Sequence, residues 1–443
     1  MSAQIHHPTQ SKWRAPLLFA GVALLFVATS QIYTADVALQ YLIFGLLSAV
    51  MAVGVNIQWG YAGLFNTGVM GFTAVGGLAV VLVATPPQPD AWAAGGPRLV
   101  LALLIGALGL FGVIRLARAL PKGPQRGWAI AVALLVLFFL FRYVFDAAVA
   151  AIEAVNPAAA GNIGGLGLPT LLAWPAGAAL AALAAWAIGK VALGLRSDYL
   201  AIATLGIAEI IVTVLKNEDW LARGVKNVIG INRPWPVPRE IDLQRDAEFV
   251  AAAQGWGMEP MAASILWVKV LWVVLFVVVL AVLIWASELA LKSPWGRMMR
   301  AIRDNEDAAR AMGKDVTRRH LQIFVIGSAV IGFAGAMMVS LDGQLTPSSF
   351  NPLRYTFLIW VMVVVGGSGN NWGSVLGGLL VGWLWLIVEN AGPQLMHGLT
   401  AFLPEGGFKA HLIASAAHMR LLTMGVILLL VLRFSPRGLL PEK

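Results

Sequence analysis

The sequence predicts an all-α protein, a polytopic transmembrane helical bundle of about 10–12 spans with both termini cytoplasmic. Three observations carry this expectation. Apolar residues (AVILMFWYC) make up 59% of the 443 positions and charged residues only 12%, about half the quarter usual in soluble domains. Mean hydropathy is +0.79. With so few charges a water-soluble fold of this size could not cover its surface, so lipid is the natural solvent for most of the chain. Finally, the basic residues gather between the apolar runs, in a pattern that orients the chain.

The runs can be taken in order. A polar stretch with His6, His7, Lys12 and Arg14 precedes the apolar run 15–32. No small-x-small cleavage site follows before Asp36, so this run reads as an uncleaved first span. Further runs lie at 37–57, 61–84, 99–114, 127–151, 169–193, 198–215, 264–291, 320–341 and 413–432. Between the last two, 355–391 is interrupted by Gly366-Gly-Ser-Gly-Asn-Asn-Trp-Gly373. It reads either as two tilted spans or as a pair of half-helices, and in both cases the chain returns to the side it left. Lipid cannot satisfy free backbone N–H and C=O groups, so the spans must be helices. Glycine and alanine are dense at 176–189, 327–336 and 373–382, which lets helices approach closely in one packed bundle.

Charge fixes the orientation. Segment 292–319 holds eight basic residues, Lys292, Arg297, Arg300, Arg303, Arg310, Lys314, Arg318 and Arg319, and the positive-inside rule makes it cytoplasmic. Counting one crossing per span then puts 115–126 (Arg115, Arg118, Lys122, Arg126), the amino terminus and the tail with Arg433, Arg437 and Lys443 inside as well. The segments 84–98 and 216–262 fall outside. The net charge of +9 thus resolves into a basic inner face, with nineteen of the 31 basic residues and seven of the 22 acids, on a near-neutral body. It gives no reason to expect nucleic acid as a partner. The whole of 1–443 reads as one membrane domain.

Segment 292–319 is the richest in chemistry. Ser293 can cap a helix with Pro294 in its first position. Met298, Met299, Ile302, Ala309 and Met312 then form an apolar stripe at helical spacing. Arg300–Asp304, Arg303–Asp307 and Glu306–Arg310 are spaced i, i+4, and Thr317 is placed to cap the next span. The stripe suits a connecting or interfacial helix, and it equally suits a docking helix inserted into a groove on a cytoplasmic partner.

A resemblance bears on that choice. Asp307-Ala-Ala309 followed by Gly313 resembles the EAA loop of ABC-importer permeases, with Asp in the Glu position; the Leu-Pro of the fuller pattern is absent. The chain also resembles the M-type permease of branched-chain amino-acid ABC importers. The stretches that carry this occur in the family's order: Gly60-Tyr-Ala-Gly-Leu64; Leu195-Arg-Ser-Asp-Tyr-Leu-Ala-Ile-Ala-Thr-Leu-Gly206 with Glu209-Ile-Ile211; Ser293-Pro-Trp-Gly-Arg297 with Ala301-Ile-Arg303; Ser348-Ser-Phe350; Gly366-Gly-Ser-Gly369 with Trp372-Gly373; and Ser435-Pro-Arg-Gly438. They cover most of 37–83 and 169–438. Two places depart from the family: 84–168 looks like an inserted pair of spans, and 221–230 is poorer in glycine than expected.

The resemblance implies a permease subunit in the bacterial inner membrane that forms part of a pathway for branched-chain or related amino acids. Its expected partners are a second, H-type permease, two cytosolic ATPases and a periplasmic binding protein. Glu306, Asp307, Ala308, Ala309 and Gly313 would form the ATPase-coupling element, with Glu306 and Asp307 making polar contacts, the alanines allowing close approach and Gly313 ending the helix. No GxxxxGK[ST] loop is present, so ATP would be hydrolysed by the partner subunits, and this chain needs no cofactor of its own. Neither a ligand-spaced metal set nor a catalytic triad stands out, and an enzyme is not expected. Urea or short amides are an alternative solute class. A self-sufficient ion-coupled carrier working through Glu209 is the competing mechanism.

Candidate pathway or gate residues complete the reading. Gly60, Gly63 and Asn66 lie in the glycine-broken stretch 60–68, which is either a gate or a turn at the membrane surface; for 366–373 the turn is favoured. Ionisable residues inside spans are costly. Arg142 and Asp146 can neutralise one another at i, i+4, and Lys269 can snorkel to the interface. Glu209, in mid-span, is the best functional candidate among them, and a place at a helix end, hydrogen-bonded to a neighbouring helix, is the equal alternative.

Overall fold

The computed structural model describes residues 13–156, 161–195, 197–404 and 406–442. His6, His7, Lys12, Arg196 of the 195–206 stretch, and Lys443 lie outside the described residues.

The apolar runs form helices: α1 (Arg14–Ile32), α2 (Ala35–Ala62), α3 (Val69–Ala84), α4 (Pro89–Ala119), α5 (Pro124–Ala154), α6 (Thr170–Ala192) and α7 (Ser197–Asn217). After α7 the chain runs through the short α8 (Asp219–Ala222), strand β1 (Val228–Ile229), α9 (Glu240–Arg245) and α10 (Ala247–Gly255). Helix α11 (Pro260–Lys292) leads to α12 (Pro294–Asp304) and α13 (Glu306–Ala311), and α14 (Val316–Asp342) returns to the bundle. Strand β2 (Gln344–Leu345), α15 (Leu358–Gly366), α16 (Asn371–Leu399), α17 (Gly407–Ala414) and α18 (Met419–Phe434) follow. Among the described residues nine helices are long and apolar enough to cross a bilayer, and ten if α17 and α18, bent by 60°, make one span. Helices α3 and α15 are shorter apolar pieces. The architecture is all-α and polytopic, as the sequence predicts.

The core is built on α2 and α14. Both are buried over most of their length, from Ile43 to Ala62 and from Ile323 to Ser340. Small residues explain how tightly they are surrounded. A Cβ on Gly332 of α14 would stand 2.8 Å from the Gly177 carbonyl of α6, and one on Gly54 of α2 would stand 3.0 Å from the Gly327 carbonyl of α14. Buried polar groups lock the same helices: Trp174 donates to Ser340 at 3.0 Å.

Helices α4 and α5 pack on one another with a small core of their own, including Leu99, Ala102, Phe145 and Ile152. Their outer faces expose large apolar side chains such as Leu108, Phe111, Phe138 and Phe139, as helices facing lipid do. The Arg142–Asp146 pair forms at 3.1 Å. Lys269 pairs with the Asp36 carboxylate, at the start of α2, at 2.6 Å and donates to the Asp36 main-chain carbonyl at 3.3 Å. Strands β1 and β2 pair antiparallel at the end of α14 farthest from α12.

Three local expectations are corrected. The peripheral segment is two helices, because the chain breaks at Asn305 (φ −157, ψ 98). The break removes the Arg303–Asp307 pairing, and Arg303 turns to Asp304 at 3.1 Å. The cap of α14 is Asp315, whose carboxylate accepts from the Arg318 N–H at 3.0 Å, in place of Thr317.

Candidate functional site

The site is assembled where α12 meets the ends of α2 and α16. Ser293 caps α12, and Pro294 occupies its first turn, as that residue order favours. Gly296, Met299 and Ile302 are buried against the bundle, and the Trp295 indole donates to Gln322 of α14 at 3.3 Å. The apolar half of the predicted stripe therefore faces inward.

Past Asn305 the character reverses. The Asn305 side chain accepts from the Ala308 N–H at 2.9 Å and starts α13 afresh. None of the residues of α13 is buried, and Met312, which follows it, is 79% exposed. Glu306 and Arg310 pair at 2.6 Å on the solvent side. Gly313, at φ +77, ends the helix: its N–H bonds the Arg310 carbonyl at 3.0 Å, while the Lys314 N–H bonds that of Ala309 at 3.2 Å. This double closure needs a left-handed residue, which glycine supplies without strain. Glu306, Asp307, Ala308, Ala309 and Gly313 thus share one projecting segment, seated on the bundle through α12 and through Ala309, which packs partly against the core.

Arg303 joins the seat to the interior. It bonds the Gly60 carbonyl of α2, and its Nη1 lies 2.7 Å from Glu442. Burial lowers its pKa, but the Glu442 and Asp304 carboxylates outweigh that effect and hold it above the usual guanidinium value. The tail carrying Glu442 is fixed in turn, since the Asn370 side chain donates to the Leu440 carbonyl at 3.1 Å.

Gly60 and Gly63 stand at the end of α2. A Cβ on Gly60 would collide with the Asn56 side chain and the Gly369 backbone. Gly63, at φ +69, caps the helix. Residues 63–68 then run without helix to α3, covered by protein on all the sides that matter to their polar groups. Asn66 is fully buried; it donates to Gln58 at 2.8 Å, and its carbonyl accepts from the Trp360 indole at 3.0 Å. Its side-chain oxygen takes the Gly68 N–H at 2.8 Å. The Thr67 N–H reaches Thr204 of α7 at 3.2 Å. Irregular backbone is tolerated inside the bundle where protein groups satisfy it, as these do for Asn66, Thr67 and Gly68.

That layer continues across the bundle. Gln58 donates to the Phe324 carbonyl at 2.8 Å and to Ser328 at 2.9 Å. Asn56 accepts from the Gly369 N–H at 2.9 Å and donates to Asn371, which itself donates to Glu288 at 3.2 Å. The turn 367–370 between α15 and α16 is therefore tied to α2. Sequence reasoning missed Asn56, Gln58, Asn371 and Glu442; a run of amides inside apolar stretches was the available signal.

The family profile described as "Branched-chain amino acid transport system / permease component" matches residues 127–432, more than half of the chain. The chain belongs to this permease family. Among relatives, the permease is 26% identical over 367 residues to the high-affinity branched-chain amino acid transport system permease protein LivM of Escherichia coli K12, covering 78% of this chain and 79% of that one. Its identity to the LivM protein of Salmonella typhimurium is 28% over 280 residues, 62% of this chain and 58% of the other. With the probable LivM protein of Methanocaldococcus jannaschii it is 30% over 157 residues, 35% and 42% of the two chains. No solved structure matches the permease.

Glu209 lies apart from this cluster. Helix α7 buries Leu200, Thr204, Ala208, Val212 and Leu215, whereas Glu209 is exposed beside Ile210 on the permease's uncovered face. Among the described residues no group of three or more His, Cys, Asp or Glu side chains is arranged to hold a metal.

Proposed function

We propose that this permease carries branched-chain amino acids across the bacterial inner membrane as one subunit of an ATP-driven importer. Its partners are a second, H-type permease, two cytosolic ATPases that hydrolyse the ATP, and a periplasmic binding protein that delivers the solute. The termini and segments 115–126 and 292–319 lie on the cytoplasmic side. The observation that carries this reading is the two-part segment 293–315, with α12 buried on the bundle and α13 projecting from it.

In this reading Ala308, Ala309 and Met312 enter a cleft on an ATPase, while Glu306 and Asp307 make polar contacts at its rim. Movement of the ATPase displaces α13. Asn305 passes that movement to α12, and Met299, Ile302 and Arg303 pass it to the end of α2. There Gly60, whose carbonyl takes the Arg303 guanidinium, leads into the 63–68 segment before α3, and Asn56, one turn earlier on α2, holds the turn leading to α16. One push thereby reaches three helices. Gly60, Gly63 and Asn66 act as the joint of the gate, and Glu209 marks the face of α7 that meets the second permease.

The test is uptake of labelled leucine, isoleucine and valine by proteoliposomes containing the whole transporter. Ala309→Arg or Gly313→Glu should abolish ATP-dependent uptake while the permease stays in the membrane. Unchanged uptake by either variant would sink the coupling assignment.

A further inference from the structure

Helices α2, α14, α15 and α16 enclose a cavity of about 350 Å³ in the half of the bundle away from α12, within the size range of small-molecule sites, about 300–1,000 Å³. On α2 its lining runs from Gln40 to Met51. At 1.5 Å per residue, Met51 stands roughly 16 Å from the Ala62 end of that helix, so the cavity reaches about mid-bundle. Its deep wall is apolar: Met51, Met338, Leu358 and Ile359 are each at most 5% exposed.

Two opposite charges line the same space. Arg354 is held over the rings of Phe44 and Tyr355, at 5.5 and 5.4 Å, and its Nε is buried without a hydrogen-bond partner. A buried cationic donor left unpaired is expensive, and a site retains one when something else supplies the acceptor. Asp342, the last residue of α14, lines the cavity too, and no hydrogen bond or ion pair joins it to Arg354 among the described contacts. The remaining carboxylate, Glu389, is already matched by Arg420 at 3.0 Å.

We propose that this cavity binds an amino-acid zwitterion with an apolar side chain. The α-carboxylate pairs with Arg354, the ammonium group with Asp342, and the side chain lies on Met51, Met338, Leu358 and Ile359. A lipid tail would leave both groups without a hydrogen-bonded partner of opposite charge, and a simple anion or cation would leave one. The proposal rests on the reading that the transported solute is a branched-chain amino acid, and it adds a binding station within this subunit.

The chain has no cysteine, so Leu341→Cys at the cavity wall provides a single reporter on this subunit. In the purified whole transporter, leucine should slow alkylation of Cys at this position by about tenfold, equivalent to roughly 1.4 kcal/mol of occupancy. Equal concentrations of 4-methylpentanoate, which lacks the ammonium group, or 3-methylbutylamine, which lacks the carboxylate, should have little effect. Arg354→Met should abolish protection by leucine. Asp342→Asn should make leucine and 4-methylpentanoate equally effective, a change of preference that misfolding would not produce. Uptake by the unlabelled transporter separates the two levels. Leucine import without protection overturns the site and leaves the solute assignment standing. Equal protection by 4-methylpentanoate and leucine in the unaltered pocket also overturns it, as does an absence of both import and protection, which removes the solute assignment as well.

Discussion

Arg303 Nη1 stands 2.7 Å from Glu442 Oε2, so the peripheral helix α12 and the last residues of the chain are fastened at one point. The same guanidinium bonds the Gly60 carbonyl at the end of α2. Neutralising Glu442 therefore does more than free the tail, because it takes the counter-charge from a half-buried cation that also holds the end of α2. A hydrogen-bonded charge of this kind contributes about 1–3 kcal/mol. Glu442→Gln should lower the thermal midpoint of the purified permease, followed through its seventeen tryptophans. The pair should resist alkaline pH: a raised folded pKa means its contribution is complete below the ordinary arginine value and is lost only as pH rises beyond it. A midpoint unchanged in Glu442→Gln would show that the contact carries no weight.

The break at Asn305 yields a second prediction. Its side chain supplies the acceptor that starts α13, and losing such a cap costs about 0.5–2 kcal/mol. Asn305→Ala should speed amide hydrogen exchange at Glu306–Ala311 with little change elsewhere, and uptake should fall with it. Asn305→Asp retains the acceptor and should restore both. Equal exchange in the Ala and Asp variants would remove the cap from the argument.

Asn66 allows a third. Replacing it with Leu strands the Gly68 N–H and the side-chain Oε1 of Gln58 inside the bundle, at about 1–3 kcal/mol for each unmet group. The variant should unfold at a markedly lower temperature than wild type. Asn66→Ala, which leaves room for a water, should lose less. The reverse order would mean that side-chain packing at this position outweighs the amide's hydrogen bonds.

How far these features could be read in the sequence depends on the range of the interactions that make them. The spans are set by hydropathy over about twenty residues, and Ser293-Pro294 is a local signal, so both were legible. The break at Asn305 was also written locally, as Asn followed by two acids, but the i, i+4 spacing of Arg303 and Asp307 masked it. The path of 63–68 was illegible for a different reason. It is determined by Thr204 and Trp360, which are 137 and 294 residues away from the groups they bond. Arg354 and Asp342 stand just outside the apolar runs 355–391 and 320–341, and only the packing of four helices places them on one cavity.

Glu209 carries the last prediction. It lies near the middle of α7 on a face that this chain leaves uncovered. An ionised carboxylate at the centre of a bilayer costs about 2.5–3.5 kcal/mol on insertion scales, so a face bearing one is built for water or for a polar partner. Both fit the proposed second permease and the pathway beside it better than lipid does. Glu209→Gln keeps the hydrogen-bonding shape and should retain most of the uptake by the whole transporter. Glu209→Leu should lower the initial rate about tenfold or more, the factor that roughly 1.4 kcal/mol corresponds to, with no loss of permease from the membrane. If the leucine variant imports at the wild-type rate, the uncovered face of α7 meets lipid and is no interface for the proposed second permease. If glutamine is as damaging as leucine, the negative charge itself is needed, and Glu209 pairs with a cation supplied by the neighbouring subunit.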